Sequence, residues 1–226
     1  MATPDTCILC GSEQVQLFYR DQSEQYRCTY FQCQHCRLIF APERYRPDPD
    51  EEKARYDTHE NDPSDPDYRA FLGRLFEPMK ALLPPGSKGL DFGSGPGPTL
   101  HLMFEEQGHH MKIYDPFYAD DPAVFRQTYD FITSTEVAEH LHEPAAEFDR
   151  IWTCLRPGGY LGIMTKLAED DPAHFADWHY RLDYTHVTFY TRKTFRWLAD
   201  YWDAELEFYP QNVMIFWKQN HLDGEG

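Results

Sequence analysis

The chain has 226 residues and a formal net charge of −17, enough length for one ordinary domain plus an appendage. The acidic excess lies entirely after residue 46, because residues 1–46 hold five Arg and five Asp or Glu. Such a surface repels phosphate backbones, which disfavours a nucleic-acid partner and favours a small molecule. No apolar run could span a bilayer and no signal peptide opens the chain, so we expect a cytoplasmic protein.

Four of the six cysteines form two closely spaced pairs, Cys7-x2-Cys10 and Cys33-x2-Cys36. Two residues between thiolates let one tight turn present both sulfurs to a single ion, and two such turns complete a tetrahedral site. Disulfides are the alternative, but they are rare in the reducing compartment where a chain without a signal peptide stays. We therefore predict a structural zinc site, with rubredoxin-type iron as a second option for the same ligands.

Residues 1–46 are predicted to form a zinc-ribbon-like metal-binding domain, with strands near 15–19 and 30–32. A segment this short supplies little core, so metal binding and folding should be one event. A ribbon can bind RNA, contact a partner or support its neighbour. Balanced charge and the absence of Lys favour a structural or substrate-lid role over RNA binding.

Residues 47–66 are rich in Pro and Asp, which is typical of a linker. Within them, residues 51–60 are compatible with a short helix that carries Tyr56. The segment is thus either a solvated connector or a flap that closes over a cofactor.

Residues 67–220 alternate between helical and strand patterns, which predicts an α/β fold with a mainly parallel sheet and helices on both faces. Residues 221–226 are expected to be a frayed tail. The expected helices cover 68–83, 98–107, 144–155 and 191–201, and the expected strands cover 88–92, 111–114, 129–134, 160–165, 206–209 and 213–218.

A glycine-rich loop, Gly93-Ser94-Gly95-Pro96-Gly97-Pro98, follows the first of these strands. A P-loop requires Lys and Ser or Thr after its last glycine, where this chain has Pro98-Thr99. The dinucleotide fingerprint requires a third glycine at position 98, which is also Pro98. Both phosphate-binding interpretations fail, and the acid at the strand end, Asp91, suits a cationic ligand instead.

The motif Asp91-x-Gly93-x-Gly95-x-Gly97 resembles motif I of class I S-adenosylmethionine-dependent methyltransferases. Three further matches follow in order: Asp115 after the second strand, Thr135 to Leu141 after the fourth, and the turn Leu155 to Leu161. Over residues 67–220 the resemblance implies a Rossmann-like sheet, methyl transfer, and an acid, Asp115, that accepts the ribose hydroxyls. The cofactor-binding residues it implies, with Tyr56 added from the flap, are Asp91, Gly93, Ser94, Gly95, Gly97, Asp115, Pro116, Thr135, Glu136 and Tyr56.

One departure from the family pattern concerns the third strand. Only fourteen residues separate Asp115 from Asp130, too few for the usual helix, strand and helix. We therefore expect that strand to be missing and the strand order to be 2-1-4-5-7-6. The family's adenine-binding acid on that strand is then not assignable, and Phe117, Tyr118 or Asp121 are candidates to cover the ring.

Catalytic candidates cluster after the fourth strand. His140, Glu139 and the distant His186 can act as base or positioning groups if the acceptor must lose a proton. Alternatively, the spacing Glu136-x-x-Glu139-His140 resembles that of certain magnesium-dependent O-methyltransferases, and His186 would complete a second divalent metal site. Trp178, His179 and Tyr180 lie where the family inserts its substrate loops, so they are predicted to line the acceptor pocket.

The leading functional hypothesis is a methyltransferase that acts on a small molecule, with O-, N- and C-methylation all open. One alternative is an RNA methyltransferase whose ribbon binds RNA. Another is a non-catalytic scaffold that retains the fold.

Overall fold

The computed structural model describes residues 3–23, 27–58 and 61–220. The predicted tail, 221–226, and the last two positions of the predicted 51–60 helix lie outside these residues. The strands are β1 Val15–Arg20, β2 Thr29–Cys33, β3 Ile39–Phe40, β4 Lys88–Phe92, β5 His110–Tyr114, β6 Tyr129–Thr135, β7 Leu155–Met164, β8 Thr188–Phe189, β9 Ala204–Tyr209 and β10 Val213–Lys218. The helices are α1 Pro49–Tyr56, α2 Pro66–Leu82, α3 Leu100–Glu105, α4 Pro144–Cys154, α5 Pro172–Asp177 and α6 Arg192–Trp202.

The larger sheet has six strands in the order β5-β4-β6-β7-β10-β9. Strands β5, β4, β6 and β7 are parallel, and β10 runs antiparallel to both β7 and β9. This order confirms the predicted sheet without a third strand. Between β5 and β6 the chain forms only an isolated bridge and a short 3-10 helix, Pro122–Arg126, because so few residues are available there.

Helices cover both faces of this sheet. Helix α2 buries one apolar side at helical spacing, including Leu75 and Met79, and packs with α3 on the first face. Helices α4 and α6 pack on the second face. The carboxyl ends of β4, β5 and β6 therefore meet at one edge, where ligands bind in this architecture. Within the described part of the chain, none of the helices has the length and apolar character that crossing a membrane requires.

The smaller sheet combines the N-terminal segment with a distant part of the chain, in the antiparallel order β1-β2-β3-β8. In the pairing of β3 with β8, Ile39 lies opposite Phe189 and Phe40 opposite Thr188. The sequence analysis missed both strands, because two residues carry no periodic pattern. Aromatic side chains from the two regions share a buried cluster that includes Tyr30, Phe175 and Phe189.

A buried ion pair also joins these regions. The Arg181 guanidinium contacts the Asp21 carboxylate at 2.6 Å, with side-chain exposures of 8% and 6%. Arg181 also donates from Nε and Nη2 to the backbone carbonyls of Phe175 and Ala176, so each of its three nitrogens has a hydrogen-bond partner. A buried charge with this many partners costs much free energy when one partner is removed.

We expect Asp21→Asn to lower the free energy of unfolding by about 3–5 kcal/mol, because it leaves the Arg181 charge buried without its counter-ion. Urea denaturation monitored by tryptophan fluorescence measures the change. Glu77→Gln is the matched control, since it removes a carboxylate from an exposed pair with Lys80 and should cost less than about 1 kcal/mol. Equal small losses in both variants would contradict this account.

Candidate active site and metal centre

The glycine loop begins directly after β4. Each of its glycines stands where a side chain would be unfavourable, through its φ angle or through the space around it. Gly93 and Gly95 have φ of +77° and +66°, which side chains rarely tolerate. A Cβ at Gly93 would lie 2.2 Å from the Val137 side chain, and one at Gly97 would lie 2.0 Å from the Asn61 carbonyl oxygen. A Cβ at Gly95 would meet nothing within 4 Å, because this residue lines an open cavity.

Asp115, directly after β5, fixes the loop from the neighbouring strand. Its carboxylate accepts the Gly95 N–H at 2.9 Å through one oxygen. The other oxygen accepts the N–H groups of Phe117 at 2.9 Å and Tyr118 at 3.2 Å. Carboxylate oxygens have several acceptor positions, so Asp115 can still accept from a ligand in the cavity that it lines.

Asp91 lies beneath the loop rather than in the cavity. Its side chain is buried and accepts a hydrogen bond from the Thr133 hydroxyl at 2.8 Å. Burial, reinforced by the nearby negative charge of Asp115, raises the pKa of Asp91 to about 7. The sequence predicts that Asp91 points at the ligand. In the structure its side chain points instead to the neighbouring strand β6, where it contacts Thr133. Asp91 is not among the residues that line the cavity.

The cavity at this edge has a volume of about 1120 Å³, which is larger than a typical single-ligand pocket. It brings together most of the site residues predicted from the sequence. Those that line it are Tyr56, Gly93, Ser94, Gly95, Asp115, Pro116, Thr135, Glu136, Glu139, His140 and His186. Gly97, Asp91, Trp178, His179 and Tyr180 do not line it.

Two hydroxyl groups on the cavity wall have unused hydrogen-bonding capacity. Ser94 Oγ and Thr135 Oγ1 are buried and have no hydrogen-bond partner within the described ranges. Buried polar atoms are normally satisfied, so such atoms at a cavity are ready to bind polar groups of a ligand. Together with the open side of Gly95, they fit a polar cofactor held close to the loop backbone.

Three potential ligand side chains also converge where the turn after β6 and the residue before Val187 line the cavity. The carboxylate of Glu139 and one ring nitrogen each from His140 and His186 lie within 4.8 Å of one another. His140 Nδ1 lies 3.0 Å from the Thr185 carbonyl oxygen, and His186 Nδ1 lies 2.6 Å from that of Tyr180. Because a carbonyl only accepts, each Nδ1 carries the proton, and in a neutral ring Nε2 is the ligand atom.

The environment of this cluster favours a neutral imidazole at His186. Burial, together with the nearby His140, lowers the pKa of His186 to about 4. Glu139 accepts hydrogen bonds from the hydroxyls of Tyr180 and Thr165, the latter at 2.7 Å. Hydrogen bonds of this kind to ligand side chains orient a metal site, so the donor set fits a divalent ion.

Glu136 is separate from this group of three, although the sequence analysis placed it in the same metal site. It has a φ of +52° directly after β6, and its carboxyl group lies 3.3 Å from the oxygen of the Tyr180 hydroxyl, whose single proton is donated to the nearer Glu139. Burial and the Glu139 charge raise the pKa of Glu136 to about 8. Its ligand atoms are not part of the convergent set.

The predicted acceptor residues belong to the insert between β7 and β8, which packs against the N-terminal sheet. Trp178 packs on Phe189 and Tyr180, with ring centroids 5.8 and 5.1 Å apart. His179 is exposed and lies 3.1 Å from the Lys166 ammonium. Only Tyr180 reaches the site, through its hydrogen bond to Glu139.

Helix α1 contacts both sides of the cavity and carries Tyr56 into it. The Tyr56 ring lies 5.2 Å from that of His140 and 5.7 Å from that of Phe117. Arg55 forms a 2.7 Å ion pair with Asp183, and the Tyr118 hydroxyl donates to Asp57 at 2.6 Å. The linker and its surroundings also contribute lining residues that the sequence analysis missed, including Arg46, Asp48 and Glu52. A capping box at Asp48, with Pro49 next, is the signal that could have located this helix.

The four cysteines of the paired motifs converge as predicted. Their sulfurs all lie within 4.8 Å of one another, with Cys7–Cys36 at 3.6 Å and Cys10–Cys33 at 3.5 Å. Sulfurs around a tetrahedral zinc, at about 2.3 Å from the ion, would be separated by about 3.8 Å. The backbone N–H groups of Leu9 and Cys36 point at two of the sulfurs, each at 3.5 Å. This donor set fits one tetrahedral metal ion.

The Rossmann-like sheet has a glycine loop after its first strand, an acid after the next, and an antiparallel strand, β10, between β7 and β9, an arrangement consistent with the class I methyltransferase fold. Comparison with protein families agrees, because residues 64–207 match the family described as a methyltransferase domain. The chain therefore belongs to that family, which confirms the resemblance and the fold class predicted from the sequence.

Individual proteins align with only part of the chain or share little sequence identity with it. Over 77 residues the chain is 31% identical to the ubiquinone biosynthesis O-methyltransferase of Aeromonas salmonicida. That match covers 34% of this chain and 32% of the enzyme, so the chain aligns with about a third of its curated relative. A solved structure of 1,6-didemethyltoxoflavin-N1-methyltransferase from Burkholderia thailandensis, which contains 1,6-didemethyltoxoflavin and S-adenosylhomocysteine, is 18% identical with a TM-score of 0.50. It covers 81% of this chain and 96% of that chain, a likeness in fold.

We expect Asp91 to make the protein less stable as pH rises. Its pKa is about 7 in the folded state and 3.8 ordinarily, so between these values the folded state binds more protons than the unfolded state. The free energy of unfolding therefore falls across this window, by about 4 kcal/mol at about 1.36 kcal/mol per pH unit.

Asp91→Asn removes this titration, so its stability relative to the wild type should rise by about that amount between pH 4 and pH 8. Urea denaturation at intervals of one pH unit measures the difference. Parallel pH profiles for the two proteins would show that the Asp91 carboxyl is not protonated in the folded state.

Proposed function

We propose that this protein is an S-adenosylmethionine-dependent methyltransferase that methylates a hydroxyl oxygen of a small molecule. The observation that carries the proposal is a single cavity with a glycine loop and Asp115 on one wall and Glu139, His140 and His186 on the other. The first wall suits a methyl donor, and the second suits an acceptor that must lose a proton. In the reaction, the S–CH₃ bond of the sulfonium breaks as the O–CH₃ bond forms, and the products are S-adenosylhomocysteine, a methyl ether and a proton.

The cofactor half of the proposal rests on the loop and its neighbours. Gly95 leaves room for the donor against the backbone, and Asp115 accepts hydrogen bonds from its ribose. Ser94 and Thr135 supply hydroxyls that otherwise lack partners. Tyr56 covers the cavity from α1 and helps to exclude water from a displacement that depends mainly on alignment.

The acceptor half rests on Glu139, His140 and His186. We infer that they hold a divalent metal ion, because both histidines present Nε2 and Glu139 is oriented by two hydroxyl donors. Two imidazoles and one carboxylate suit zinc, iron or manganese better than magnesium, which prefers oxygen ligands. A bound ion would lower the pKa of the acceptor hydroxyl. Glu136 lies beside the cluster and lines the same cavity, and in its ionised form it can receive the released proton.

A small acceptor is favoured over RNA by the charge of the cavity wall. Its lining includes several carboxylates beyond the cluster, among them Glu43, Asp48 and Glu143, against the two cations Arg46 and Arg150. Such a wall opposes a phosphate backbone. The ribbon, in this proposal, binds zinc and supports the insert next to the acceptor wall. Its four thiolates require a reducing compartment, for which the cytoplasm is our proposal.

Gly95→Val is expected to abolish binding of S-adenosylhomocysteine, because the new side chain would occupy the space that the cofactor needs. Isothermal titration calorimetry measures the affinity. Gly108→Val is the matched control: Gly108 also has a positive φ and open space around it, but it does not line the cavity. Unchanged affinity in Gly95→Val, or no binding to the wild type, would reject the proposed cofactor site and favour the scaffold alternative.

His186→Ala is expected to remove one of two metal ions per chain and to lower methyl transfer by about 100-fold, because the ion that lowers the pKa of the acceptor hydroxyl is lost. Metal content is measured by plasma mass spectrometry, and transfer by S-adenosylhomocysteine release with a panel of phenols and catechols. The affinity for S-adenosylhomocysteine should stay within about twofold.

His174→Ala is the control, because this exposed histidine lies outside the cavity. If His186→Ala keeps both the metal content and the transfer rate of the wild type, the assigned acceptor wall is wrong.

A further inference from the structure

One end of the cavity is not used by the proposed function. It lies next to Asp115 and is lined by Phe92, Tyr114, Leu141, Glu147 and Arg150. Phe92 and Tyr114 are the last residues of β4 and β5, and Glu147 and Arg150 lie on consecutive turns of α4. This end is therefore built mainly from the ends of β4 and β5 and from α4.

The shape of this end suits a flat, partly apolar group. The rings of Phe92 and Tyr114 are stacked with their centroids 5.7 Å apart and an interplanar angle of 17°. The Arg150 guanidinium lies 5.2 Å from the Tyr114 ring and 3.9 Å from the Phe125 ring. Aromatic rings and a planar cation are surfaces on which a heterocyclic base stacks well.

The same end presents a hydrogen-bond acceptor next to a donor. Arg150 Nη2 donates to the Glu147 carboxylate, which holds the two side chains in one orientation. Arg150 Nε is buried and has no hydrogen-bond partner among the residues that the structure describes. Burying an N–H without a partner costs free energy, so this group calls for an acceptor from a ligand.

We propose that Glu147 and Arg150 recognise the adenine of the methyl donor. Glu147 accepts a hydrogen bond from the exocyclic amino group, and Arg150 Nε donates one to the neighbouring ring nitrogen. Both hydrogen-bonding edges of adenine place an amino donor beside a ring-nitrogen acceptor, which matches this pair. The inference rests on the proposed function, because it requires that Asp115 holds the ribose of the same ligand.

The missing third strand explains why α4 can serve this role. The connection between β5 and β6 contains only the short 3-10 helix Pro122–Arg126. This helix supplies the Phe125 ring, over which the Arg150 guanidinium lies. No strand therefore separates α4 from the end of β5 in this part of the chain, which the structure describes throughout. The side chains of α4 reach the space beside the ribose-binding acid.

The test compares two cofactor products that differ in the base, S-adenosylhomocysteine and S-inosylhomocysteine. Hypoxanthine has an oxygen in place of the amino group, and that oxygen would face the Glu147 carboxylate. We expect the wild type to bind the adenosyl compound at least about 30-fold more tightly, in the range for a two-point base contact. Isothermal titration calorimetry with purified full-length protein measures both affinities.

Glu147→Gln should bind the adenosyl compound about tenfold more weakly than the wild type does. Its preference for the adenosyl over the inosyl compound should fall to about threefold, because an amide can donate to the hypoxanthine oxygen. Arg150→Met, which keeps the apolar stem, should also weaken adenosyl binding. Glu43→Gln is the control: it removes the same charge from an exposed position on the cavity wall and should behave as the wild type. Thermal unfolding confirms that each variant is folded.

The outcomes separate this inference from the proposed function. If the wild type binds both compounds equally, or if Glu147→Gln keeps the full preference, the assignment of Glu147 and Arg150 is wrong while the methyl-donor site stands. If the wild type binds neither compound, the proposed function fails and the inference fails with it.

Discussion

The side of the cavity that carries Glu139, His140 and His186 depends on one short hydrogen-bonded connection between the two sheets. The Val187 N–H donates to the Glu139 carbonyl at 2.8 Å, and the Val187 carbonyl accepts the Ala41 N–H, also at 2.8 Å. These bonds join the N-terminal segment, the start of β8 and the turn that carries Glu139 and His140. Because His186 directly precedes Val187, the same bonds fix how far the two histidines are from each other. The Thr188 hydroxyl, which donates to the Ala138 carbonyl at 2.8 Å, holds the turn from the other side.

The short passage from β5 to β6 is the second constraint on the site. A full crossover would place a strand and a helix beside β5, whereas the chain between β5 and β6 forms only an isolated bridge and one short 3-10 helix. The aromatic side chains at the strand ends therefore pack on Phe125, with Tyr114 at a centroid distance of 4.6 Å, and lie next to the guanidinium of Arg150. An edge that lacks one strand is thus filled by side chains from a helix farther along the chain.

The sequence predicts the elements that depend on local residues. It does not predict the elements that form only through contacts between distant segments. Strands β4 and β10 begin and end where their apolar runs predict, and the glycine loop meets Asp115 because both follow neighbouring parallel strands. The two-residue strands β3 and β8 have no such signal, since they exist only through their pairing with each other. Trp178 and His179 are predicted to line the cavity because they follow β7. The face of this insert that packs against the protein is decided by tertiary contacts, which the local sequence does not indicate. Linker composition likewise says nothing about whether Arg46 or Glu52 lines a cavity.

This pairing also explains why the cysteine-rich segment packs against the residues that match the methyltransferase domain. A two-residue strand gains too little from its own hydrogen bonds to be stable, so β8 must be held by the strands beside it. Strand β2, which lies next to β3, ends at Cys33, one of the four convergent thiols, and β1 begins opposite that residue with Val15. A metal ion on these thiols would fix one end of the sheet whose other end leads to His186, because metal binding and folding are coupled in so small a segment. The order of the acceptor wall would then depend on an ion bound at the far end of the same four strands.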